Sequence, residues 1–182
     1  MDFTPGVLDV MIKESDGRRV HTTVAKQLAF YVTFFSPTQM LADLPENYEG
    51  QPAFQFLLDV PVDWEDTRVV HGEIGEVLTV VRKDRHSGDL YLGSITNESP
   101  RDLEVDCDFL DEGVRHVAEI YADGAEADWR TNPTAIEISR RDVERGARLP
   151  LRLAPGGGQA IRFRAVEQAR GEGPGLAGVG VT

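Results

Sequence analysis

Carboxylates are the most abundant groups in this sequence that could do chemistry. Thirty-one Asp and Glu stand against nineteen Lys and Arg in 182 residues. Asp43 and Glu46 flank Pro45, and Glu73 and Glu76 flank Gly75. A glycosidase needs two carboxyl groups held roughly 5–10 Å apart across a sugar. Spacing along a chain does not set that distance, so these pairs read as solvated surface. His21, His71, His86 and His116 are scattered without HxxxH or HExxH spacing, so they make no metal site. Cys107 is the only cysteine, which excludes an intrachain disulfide and a thiolate cluster. It alternates with Leu103, Val105 and Phe109 and reads as a small core residue. Pro155 to Gly158 (PGGG) has the composition of a phosphate cradle. No Lys-Ser/Thr pair follows it and strand patterns flank it, so it reads as a turn. Two roles are open to the indoles of Trp64 and Trp129. Exposed together on one side, they would make a sugar platform. Buried, Trp64 would cover a domain junction and Trp129 a sheet edge.

The net charge of −12 and pI near 4.7 exclude a basic patch for nucleic acid or an anionic membrane surface. No apolar run reaches the roughly 18 to 20 residues that span a bilayer. MDFTPGVLDV carries neither the positive nor the apolar region of a signal peptide.

The elements that must position these groups change character near Ser36 to Tyr48. Before it, Val24, Leu28, Tyr31 and Phe35 recur at helical spacing, with Phe30 and Phe34 on a second stripe and Thr22 or Thr23 as cap. A helix apolar around most of its girth is buried on more than one side. Ser36, Pro37 and Gln39 form a capping box for a second helix that ends near Leu44, before Pro45. Pro52 opens a short third one. From Thr67 the period becomes two. Strands are expected over Thr67–His71, Glu76–Lys83, Leu90–Thr96, Leu103–Phe109, His116–Tyr121, Ala135–Arg140, Leu149–Leu153 and Ala160–Val166. About eight short antiparallel strands between turn signals indicate a β-sandwich or barrel after a short helical segment. The Gly-rich residues at 168–182 read as a disordered tail.

Seven stretches, in order, carry a resemblance: MDFTPG at Met1, KQLAFYVTFFSPTQMLADLPENY at Lys26, DVPVDWEDTRVVHGEIG at Asp59, YLGSITNE at Tyr91, FLDEG at Phe109, IYADG at Ile120 and LAPGGG at Leu153. The set resembles the C-terminal end of glycoside hydrolase family 97, the α-glucosidases and α-galactosidases, from Met1 to about Val166.

The resemblance implies an architecture. Family members have an N-terminal β-sandwich, a central (β/α)8 barrel and a C-terminal all-β domain associated with oligomerisation. Residues 1–63 would be the last part of the barrel, with its closing helix at Thr22–Phe35. Residues 64–167 would be the C-terminal β-sandwich. The catalytic carboxylates and calcium-binding glutamates of the family lie upstream of the MDFTPG match, so no catalytic or metal-binding residue carries over. The chain thus reads as a truncated piece, inactive alone, with calcium expected only in the intact enzyme. There, acid-assisted departure of the leaving group would cleave an α-linked glycan. Asp2 would lie near the sugar-facing rim of the barrel or shape its loop. Exposure of the Val24, Leu28, Tyr31 and Phe35 stripe would drive self-association or pairing with the rest of the enzyme. Family members are typically periplasmic or secreted. The alternative is a free-standing β-sandwich that binds carbohydrate or mediates assembly without catalysis.

Overall fold

The computed structural model describes residues 4–12 and 18–166. Asp2 and the stretch at 168–182 lie outside the described residues. Three helices precede eight strands: α1 (Val24–Thr33), α2 (Pro45–Tyr48), α3 (Phe54–Asp59), β1 (Trp64–Glu73), β2 (Val77–Asp84), β3 (Leu90–Thr96), β4 (Arg101–Asp106), β5 (His116–Asp123), β6 (Ile136–Val143), β7 (Arg148–Leu153) and β8 (Gly158–Ala165).

Six strands form an antiparallel sheet in the order β1-β2-β3-β8-β5-β6, and β4 pairs with β7 in a second sheet. The two sheets close on one dry interior. Val105 of β4 and Leu149, Leu151 and Leu153 of β7 pack there against Val77, Val81, Leu92, Ala118, Ile161 and Phe163. β7 alternates strictly between buried and exposed residues, as a strand covered on one face must. β2 is buried along nearly its whole length because both of its faces are covered. Beside it, β1 forms one edge of the sheet, exposed over most of its length, and β6 forms the other.

The opposite face of the six-stranded sheet carries the helical layer. Leu8, Val10, Val24, Leu28, Val32, Tyr48 and Phe56 share a core there with Tyr91, Tyr121 and Ala160 of the sheet. The helical segment and the sandwich therefore form three packed layers. Thr23 caps α1, its Oγ1 accepting from the Lys26 amide at 3.2 Å. Eight of the ten α1 residues are buried, which explains an apolar pattern wider than one stripe.

Two expectations fail. Val24, Leu28 and Tyr31 are not an exposed patch: they are 6, 0 and 3% exposed, because α1 lies on this chain's own sheet. Only Phe35 of that stripe is open, at 59%. Nor is there a second helix over Ser36–Leu44. Its capping-box residues are bonded elsewhere. The Ser36 hydroxyl accepts from the Thr38 amide. Gln39 Nε2 donates to the carbonyls of Tyr31 and Phe34, closing the end of α1 instead of opening a new helix. The chain then runs extended beside residues 5–9, with the Ala42 amide donating to the Pro5 carbonyl at 3.0 Å. The short helix α2 begins at Pro45, where the sequence pattern suggested a stop. Proline suits both positions, since it ends a helix before itself and starts one at N1.

β4 ends three residues earlier than its alternation implied. Cys107 leaves the strand and turns, its amide donating to the Ala147 carbonyl at 2.8 Å. It stays fully buried, and burial pushes its thiol up to about 11, so it behaves as core.

Candidate functional site

The arrangement on which the molecule is organised is the seat of α1 across the middle of the large sheet. Two glycines make the seat. A Cβ on Gly93 of β3 would lie 2.7 Å from the Ala29 carbonyl oxygen. One on Gly158 of β8 would lie 2.7 Å from the Lys26 Cα. Neither distance is tolerable, so only glycine lets the helix approach so closely.

Three side chains then lock the helix. Arg82 of β2 is buried, and its Nε donates to the Val32 carbonyl at 2.6 Å, satisfying an open carbonyl in the last turn of α1. Its guanidinium lies 5.6 Å from the Phe35 ring centroid and 5.8 Å from that of Trp64. Near the other end, Lys26 Nζ donates to the Thr96 carbonyl at 2.6 Å. Burial lowers the Lys26 pKa, with Asp123 and Glu98 pulling the other way.

Asp123, at the end of β5, is the third. Its Oδ2 accepts from the amides of Ala154 (2.9 Å) and Gly158 (2.8 Å). Pro155 to Gly158 is the expected turn, and the amides at its two ends hold this chain's own Asp123 carboxylate. Gly157 has to be glycine, since a Cβ there would stand 2.8 Å from the Asp123 carboxyl carbon and closer still to Oδ2. The same turn holds the helix start, the Thr23 amide donating to the Gly156 carbonyl at 3.1 Å. Burial pushes the Asp123 carboxyl up to about 6, against the Thr23 hydroxyl, the two amides and the Lys26 charge, which favour the ionised form.

The structure does not bring the two indoles together. Trp64 is buried, stacked edge-on against Tyr91 at 5.6 Å, at the Leu90 end of β3. Trp129 is half-buried at the Thr96 end, where it closes over Gly156, packs 4.6 Å from the His21 ring and lies under the Arg130 guanidinium. The length of β3, ~20 Å, separates those ends.

Asp43 is no free carboxylate either. Its Oδ2 accepts from the amides of Leu8 (2.8 Å) and Asp9 (2.7 Å), and its Oδ1 from Asn47 at 2.6 Å. Burial works against its charge, but these bonds and that from the Leu44 amide hold its carboxyl below the usual range. His86 lies on the surface, 3.2 Å from Asp63. Among the described residues no group of three or more His, Cys, Asp or Glu is placed to hold a metal ion. The calcium that the family resemblance implies has no fitting ligand set among them and enters no step.

Sequence reasoning missed Arg82, Asp123 and the two seat glycines. Gly93 within the strand pattern YLGSIT was the readable signal, since glycine inside a strand marks a close backbone approach.

Comparison with known proteins gives this arrangement its family. Residues 63–164 match the family described as glycosyl-hydrolase 97 C-terminal, oligomerisation. A retaining α-galactosidase of Bacteroides thetaiotaomicron is 37% identical over 144 residues, covering 78% of this chain and 21% of that protein. Solved glycoside hydrolase family 97 enzymes of Pseudoalteromonas sp. strain K8, in complexes with panose and with acarbose, superpose with a TM-score of 0.88 at 45% identity. They cover 91% of this chain, which spans 26% of theirs. A β-arabinopyranosidase shares the fold, with a TM-score of 0.72 at 24% identity. The chain thus spans about a fifth to a quarter of these relatives. It belongs to glycosyl-hydrolase family 97, by way of that family's C-terminal, oligomerisation portion.

Proposed function

We propose that this chain is the structural and assembly portion of an α-glycosidase acting on α-linked galactosides or glucosides, and that it has no active site of its own. Residues 1–63 are, on this reading, the closing part of the (β/α)8 barrel, and residues 64–167 the β domain that holds it in place. The observation that carries the reading is the seat of α1. The helix is locked by Gly93, Gly158, Arg82 and Asp123. The segment that follows it presents Phe35, Met40, Leu41 and Leu44 to solvent. Exposed apolar residues gathered along one short stretch mark a docking surface. The matched relatives are between three and four times as long as this chain, and a catalytic barrel is the partner of matching chemistry. Rigid attachment matters there, because a small misplacement of barrel residues is costly in rate.

The test is a chimera. The catalytic part of the Bacteroides thetaiotaomicron relative is joined to this chain in place of its own matched segment. The chimera is expected to hydrolyse an aryl α-galactoside, and Leu44→Asp and Phe35→Asp are expected to reduce that activity. A folded chimera whose activity is indifferent to both changes contradicts the reading.

A further inference from the structure

The β1–β2 hairpin has a feature that its own fold does not use. Ile74 at its tip is fully exposed. The turn that carries it is nevertheless fixed. Gly75 takes the positive φ of +78° that the turn requires, and Asn97 Nδ2 donates to the Gly75 carbonyl at 3.1 Å. The Asn97 amide donates to the Glu76 carbonyl at 2.9 Å, and Arg101 pairs with the Glu76 carboxylate. Ile74 is therefore an apolar knob on a pinned turn.

Beside the knob lies a hole. An open, mainly apolar cavity of about 550 Å³ is lined by Ile74, Val77, Leu78, Ile95, the Lys26 stem and Asn97, between the start of α1 and the hairpin. Along the adjoining edge strand β1, Val69 is 60% exposed. A patch that holds both a knob and a hole is self-complementary, which is the requirement of a two-fold contact between identical chains.

We propose that this patch joins two copies of the chain, Ile74 of each copy entering the cavity of the other and the two β1 edges lying alongside. The choice of a second copy rests on the assembly reading above and on location. Knob, edge and nearly all of the hole lie within residues 63–164, the part matched to a C-terminal oligomerisation family. The apolar stretch from Phe35 to Leu44 lies outside it, on the helical layer. One isoleucine cannot supply the roughly 1,200 Å² of a stable interface. The edge of β1, ten residues and ~33 Å long, adds the remaining area.

The test is sedimentation velocity of the full 182-residue chain across a concentration series, with circular dichroism to confirm folding. Wild type is expected to dimerise. Ile74→Asp is expected to weaken association by about a hundredfold or more, because two isoleucines leave the interface. Leu78→Trp, which fills the cavity from within, is expected to do the same, and Leu44→Asp to leave the dimer intact. A dimer that survives both Ile74→Asp and Leu78→Trp, or that Leu44→Asp dissociates instead, overturns this proposal alone. A wild-type chain that stays monomeric throughout overturns it together with the assembly reading.

Discussion

A Cβ on Gly93 would stand 2.7 Å from the carbonyl oxygen of Ala29, so β3 and α1 touch backbone to backbone. That contact joins the helical layer to the sandwich. Gly93→Ala must lift the helix or bend the strand, and overpacking of this kind costs about 1–3 kcal/mol. Urea unfolding is expected to show that loss. A midpoint equal to wild type would mean that the helix is not seated on the sheet as described.

Arg82 closes the end of α1 by a bond from its Nε to the Val32 carbonyl, and it lies over two rings. Lysine keeps the charge but loses the fork and the planar stack. Arg82→Lys is therefore expected to destabilise by about 1–2 kcal/mol, which differential scanning calorimetry can read.

Asp123 makes stability depend on pH in a direction opposite to most carboxylates. Its carboxyl titrates near 6 in the folded chain, above its value of 3.8 when unfolded. The folded state therefore binds the proton more tightly. The resulting stabilisation is fully present below pH 3.8 and is lost as pH rises through 6. Two units correspond to roughly 3 kcal/mol. Asp123→Asn keeps an acceptor for the Ala154 and Gly158 amides and removes the titration. Difference curves between wild type and variant are expected to show wild type losing ground from about pH 4 to about pH 6 and levelling off above it. A difference independent of pH would contradict the assignment.

Asp43 acts the other way. Its hydrogen bonds to Leu8, Asp9 and Asn47 depress its carboxyl pKa, so its contribution is present at neutral pH and is lost as pH falls through that lowered value. Asp43→Ala removes the Oδ2 acceptor that the amides of Leu8 and Asp9 share. Faster amide exchange is expected over residues 5–10, with little change in β5 and β8. Unchanged exchange at Leu8 and Asp9 would show that the carboxylate does not hold that segment.

The strands were legible because each covers one face or two, and alternation reports which. The expected bounds of β3, Leu90–Thr96, are those observed. The capping-box reading of Ser36 and Gln39 went astray because Gln39 bonds backward to Tyr31 and Phe34, a choice that local spacing does not encode. The locks on α1 were illegible for a related reason. Arg82 and Val32 are 50 residues apart, and Asp123 and Gly158 are 35 apart. Such pairs exist only once the sheet order is known. The family resemblance reached further than periodicity could, since it rests on ordered motifs along nearly the whole chain.

The proposal at the centre is that this chain supports an active site carried by the rest of a longer enzyme and has none of its own. The direct test is hydrolysis of an aryl α-galactoside and an aryl α-glucoside by the purified chain, with calcium supplied. The account predicts no turnover of either. Turnover abolished by a carboxylate substitution within these 182 residues would contradict it.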